Sequence, residues 1–107
     1  MPERAIGIVL TVHIELLPAE RGGRTRPIRS GYRPVCVVVD TVGDEVSIGL
    51  CELEMTGELP SGQSGDGRLL FGADVSDLVR SLLDVGSCFW LAEGSHRIGC
   101  ASVLAIG

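Results

Sequence analysis

A chain of 107 residues with 45% apolar composition and a formal net charge of −5 predicts one folded domain and excludes a disordered polyelectrolyte. No apolar run reaches the length of a membrane span, and the opening MPERAIGIVL lacks the order of a signal peptide, so the expected location is cytoplasmic with no membrane partner. All nine basic residues are arginine, which excludes a phosphate-loop lysine, a Schiff-base lysine and a Ser-Lys dyad.

From Ile6 to Leu16 the even positions Ile6, Ile8, Leu10, Val12, Ile14 and Leu16 are apolar, the period-two signature of a strand with one buried face. Val35 to Val39 is a continuous β-branched and cysteine run, which predicts a strand covered on both faces. Val46, Ile48 and Leu50 alternate, and then Cys51, Leu53 and Met55 take over the apolar phase. That switch predicts a bulge or bend near Leu50 and Cys51. Residues 57–67, GELPSGQSGDG, read as turn chemistry throughout. Leu69, Phe71, Ala73 and Val75 alternate once more. The i,i+4 pairs Leu78/Leu82 and Val79/Leu83 then predict a short helix near residues 76–85, with Ser76 as cap and Gly86 as stop.

CFWLAE and HRIGCASVLAIG flank Gly94-Ser95, a two-residue hairpin turn. An unbroken ladder from that turn would pair Glu93 with His96, Leu91 with Ile98 and Phe89 with Cys100 on the core face. Cys88, Trp90 and Ala92 would face outward. About six strands and one helical turn define an all-β domain, a small antiparallel barrel or sandwich.

The cysteines Cys36, Cys51, Cys88 and Cys100 contain no CxxC and no pair at zinc spacing, so no metal is expected. The unbroken ladder puts Cys88 and Cys100 on opposite faces, unable to bridge. Cys36 and Cys51, in apolar strand patterns, read as small hydrophobes. His13 and His96 have no Asp or Cys partner at recognisable spacing, and a surface histidine is the plain reading of each. Ser64 in GQSGD is not a nucleophile elbow. No catalytic residue and no cofactor are therefore assigned, and an enzyme is not expected.

Five of the nine arginines crowd into RGGRTRPIRSGYRP, residues 21–34. Guanidinium forks around Gly22-Gly23 suit a bound oxyanion. Pairing with the chain's own fourteen carboxylates is the equal alternative.

The same segment resembles a known family. GGR followed by GYRP, Gly22 to Pro34, is similar to the GGRHTPF-x-x-x-YRP stretch of the third, C-terminal domain of translation elongation factor Tu and its 1-alpha relatives. FWLAEGSHRIGCASVL resembles that domain's FAIREGGRTVGAGVV hairpin, and the order and separation of the two blocks agree over roughly residues 6–107. The resemblance implies a six-stranded antiparallel Greek-key β-barrel that contacts tRNA and neighbouring protein domains. By motif, Arg24, Thr25 and the hairpin tip Ser95, His96 and Arg97 would lie on the RNA side, joined by Arg21, Gly22, Gly23, Arg26 and Arg29 of the loop. Tyr32, Arg33 and Pro34 would hold the loop against the barrel.

Departures accompany the match. Thr25-Arg26 stand where the family has His-Thr, Val35 where it has Gln, and His96-Arg97 where it has Arg-Thr. Trp90 and Ala92 replace an alanine and an arginine, and residues 42–87 match poorly. The chain holds neither a GKT loop nor an NKxD motif, so no GTP binding is expected. Two functions follow from this reading. One is a non-enzymatic module whose arginine loop contacts RNA or another polyanion. The other is a protein-interaction domain, a homodimer or a complex, anchored by Trp90.

Overall fold

A computed structural model describes residues 6–49 and 51–107. Its strands are β1 (Ile6–Leu16), β2 (Ile28–Arg29), β3 (Val35–Val39), β4 (Glu45–Ile48), β5 (Cys51–Glu54), β6 (Glu58–Leu59), β7 (Ser64–Gly72), β8 (Cys88–Glu93) and β9 (His96–Ile106). One helix, α1 (Ser76–Leu82), follows a 3-10 turn at Ala73–Val75, and a second 3-10 turn spans Ala19–Arg21. Seven strands form one antiparallel sheet in the order β4-β3-β8-β9-β1-β7-β5, and β2 pairs with β6. The domain is all-β in the main, and no helix among the described residues is long and apolar enough to cross a membrane.

The core follows the alternation. Ile8, Leu10, Val12, Ile14 and Leu16 of β1 pack with Leu53, Leu69, Phe71, Leu91, Ile98 and Val103. No polar or charged side chain is buried among the described residues, so little holds this interior but apolar contact. Ile6 departs from the expected row at 60% exposure. A register shift between Ile6 and Ile8 breaks the ladder there, and a bulge of this kind turns a side chain off its face.

Cys36 and Val38 enter the core, and Val37 is covered on the outer face, where it pairs with Trp90. Val39 is 56% exposed, so the two-sided cover expected of the whole strand stops one residue short. Ile48, Cys51 and Leu53 are buried, in line with the change of apolar phase; Leu50 itself lies outside the described residues.

Residues 57–67 are not all turn. Glu58–Leu59 is β6, and β7 begins at Ser64, with Gly65 opposite Ile14 and Gly67 opposite Val12. Packing explains the glycines that mimic a turn: a Cβ on Gly67 would meet Leu53 at 3.2 Å and the Glu54 carbonyl at 3.3 Å. The helix is real but shorter than residues 76–85, ending at Leu82. Ser76 does not cap it, because its hydroxyl donates back to the Gly72 carbonyl at 3.1 Å. Gly86 does follow as a turn residue, with φ +91.

The hairpin turn at Gly94-Ser95 is present, and Glu93 pairs with His96. A bulge between Leu91 and Ala92 then moves the register by one, giving Leu91–Gly99, Trp90–Cys100, Phe89–Ala101 and Cys88–Ser102. Leu91, Ile98 and Ala101 lie in the core cluster, and Ala92, expected to face outward, is buried outside that cluster. The bulge also corrects the inference about the thiols: Cys88, Trp90, Cys100 and Ser102 share one outer face. All four cysteines are free thiols.

Candidate functional site

The arginine loop is built on close backbone contacts. Leaving β1, the chain turns at Pro18, whose carbonyl accepts from the amides of Arg21 at 2.9 Å and Gly23 at 3.0 Å. Gly22 has φ +90, a conformation that costs a glycine nothing. A Cβ on Gly23 would sit inside the Leu17 carbonyl and 2.8 Å from the Pro18 oxygen. Further on, β2 docks on β6, and Ile28 is buried, worth about 2 kcal/mol as an anchor. The Ser61 hydroxyl donates to the Arg24 carbonyl, and the Gly62 amide to the Leu17 carbonyl at 3.2 Å.

Arg24 is the hub rather than the fringe of this loop. Its guanidinium pairs with Glu93, donates to the Arg26 carbonyl at 3.2 Å and stacks 4.7 Å over the Tyr32 ring. Tyr32 donates its hydroxyl to the same Glu93 carboxylate at 2.8 Å. Glu93 ends β8 at the hairpin tip, so one carboxylate ties loop to tip. Gly22 adjoins the tip as well, since a Cβ on it would touch His96 at 3.7 Å.

Burial, and then the hydrogen bond and charge of Glu93, push the Tyr32 phenol far above its ordinary value, against a smaller downward pull from Arg24. A raised folded value contributes stability that is whole below the unfolded pKa of about 10 and is lost as pH rises beyond it. Tyr32 is the only tyrosine, so a spectrophotometric titration reads this phenol alone. We expect no phenolate absorbance near pH 10 until base unfolds the chain.

The structure reverses the expected division of labour between two arginines. Arg24, placed on the RNA side by motif, is only 21% exposed and committed within the chain. Arg33, expected to hold the loop, is 64% exposed and reaches Glu52 at 3.2 Å. Such a surface pair contributes little. Arg33→Ala is expected to change stability by less than about 1 kcal/mol, read from the urea midpoint.

Arg21 and Arg26 are exposed and have no carboxylate within salt-bridge distance among the described residues. Arg29 approaches Glu58 at 3.6 Å with its side chain largely in solvent. Thr25, Ser95 and His96 are exposed on the same two segments. Arg97 is occupied elsewhere, paired with Glu45 and stacked 5.0 Å over Trp90. An open cleft of about 520 Å³ runs along the loop, lined by Arg24, Arg26, Ile28, Arg29, Tyr32 and Glu58. Forked cations over an aromatic floor can hold a phosphate oxyanion beside a planar group.

Two participants were not legible as site residues. Glu58 falls in the stretch that reads as turn and Glu93 at the hairpin tip carries no motif, so only the tertiary fold aims them at the loop. His13 does find a partner, Asp66 at 2.7 Å on the neighbouring strand β7. No group of three or more His, Cys, Asp and Glu converges on a metal-sized point among the described residues. No family model matches the chain.

Proposed function

We propose that the chain is a non-enzymatic binding module related to the C-terminal domain of elongation factor Tu, whose arginine loop and hairpin tip contact RNA or another polyanion. The observation that carries this reading is the meeting of the two segments at Glu93 and His96. Arg21 and Arg26 have no carboxylate within salt-bridge distance among the described residues, and Arg29 is loosely paired beside them. Phosphate contacts of this kind give affinity without sequence preference.

The matching fold in this proposal is a closed six-stranded barrel. The Gly31 amide donates to Leu53 at 2.9 Å and the Leu53 amide to Tyr32 at 2.8 Å, which joins β5 to the run leading into β3. Since β4 already pairs with β3, β4 and β5 are counted as one strand of the proposed barrel. With β1, β3, β7, β8 and β9 that makes six, and the small β2–β6 ribbon lies outside the count.

A second reading has its own observation. On the outer face, Val39, Cys88 and Leu104 are exposed around a half-buried Trp90, which suits a protein partner or a twofold dimer. Trp90→Ala is expected to weaken such a complex far more than the fold, as read by light scattering. Affinity capture from native lysate, with and without ribonuclease, separates the two. RNA-dependent recovery supports the polyanion reading; a ribonuclease-resistant protein partner with no RNA retained overturns it.

A further inference from the structure

We propose that Cys36 and Cys51 are an oxidisable dithiol, which peroxide converts to a disulfide that locks β3 to β5. Their sulfurs lie 3.6 Å apart, and both side chains are fully buried. The Cys51 thiol also donates to the Pro34 carbonyl at 3.1 Å, which holds it beside the start of β3.

The position makes the contact more than a meeting of two small hydrophobes. β5 is the last strand of the sheet order and β3 is next to the first. The thiols therefore meet across the two ends of the sheet, at the junction where Gly31 and Tyr32 bond to Leu53. A covalent link there ties together strands that no β-ladder joins. The bond needs the sulfurs to close from 3.6 Å to about 2.05 Å.

The chemistry balances with peroxide as oxidant. One thiolate attacks a peroxide oxygen, the O–O bond breaks, and the departing hydroxide takes up the thiol's proton as water. The second thiol then attacks the sulfenic sulfur, the S–O bond breaks, and a second water leaves. Two sulfurs are oxidised by one electron each, and the peroxide is reduced to two waters. Donation of its own hydrogen to the Cys51 sulfur, together with burial, holds the Cys36 thiol well above its ordinary range. The reaction is therefore slow at neutral pH and quickens as pH rises, because the thiolate is the nucleophile.

The test uses the full chain carrying Cys88→Ser and Cys100→Ser, which removes the outer-face thiols. After hydrogen peroxide under native conditions, intact mass should fall by two hydrogens, and peptides containing Cys36 and Cys51 should be linked. The thermal midpoint should rise by about 10 °C for a loop of this length and return on reduction. Cys36→Ala in the same background should lose no hydrogens; should that variant not fold, the linked peptide in its parent decides the matter. Oxygen adducts without a link, a link formed only in denaturant, or an unchanged or lowered midpoint would each overturn the proposal.

Discussion

Gly23→Ala is expected to destabilise the chain by about 3 kcal/mol and to displace the arginine loop. The new methyl would overlap the Leu17 carbonyl and lie 2.8 Å from the Pro18 oxygen. Those are backbone atoms, and no rotamer change relieves them. The same turn holds the amides of Arg21, Gly22 and Gly23, so the displacement reaches the exposed arginines. Denaturant unfolding gives the stability. A wild-type midpoint would show that the loop stands off from β1.

Glu93→Ala is expected to cost about 2 kcal/mol, because it strands two donors at once. The partly buried Arg24 loses its carboxylate and the Tyr32 hydroxyl loses its acceptor. Glu93→Gln should fall between, since an amide oxygen can still accept from Tyr32 while the charge is gone. A double-mutant cycle with Arg24→Ala isolates their coupling. Strict additivity of the two losses would show that loop and tip are not joined through this pair. In Glu93→Ala the Tyr32 phenol should also titrate closer to its ordinary value, because one of its two upward influences from Glu93 would vanish with the other.

How far the sequence could be read depended on whether local pattern or distant contact decided each feature. The row Ile8 to Leu16 was legible because a strand's period is written into its residues. The start of β7 was not, since Gly65 and Gly67 serve packing against Leu59 and Leu53 yet look like turn glycines. The hairpin turn was legible but its ladder was not. A one-residue bulge at Ile98 of β9, opposite Leu91 and Ala92, is not signalled by the alternation, and it reverses the facing of Cys100. At the site, the crowding of arginines was plain from composition. Which of them is free was not, because that depends on where Glu93, Glu52 and Glu58 arrive.

The most direct test of the account is the salt dependence of RNA binding, measured by fluorescence anisotropy with a labelled RNA stem. The wild-type chain should bind with a logarithmic affinity that falls steeply and linearly with logarithmic salt. Removing the two loop arginines that have no carboxylate partner among the described residues, in Arg21→Ala/Arg26→Ala, should flatten that slope by about two units, while Arg80→Ala on the exposed side of α1 should leave it unchanged. A slope near zero in the wild-type chain, or one that the double substitution does not alter, would contradict the arginine loop as a polyanion-binding surface.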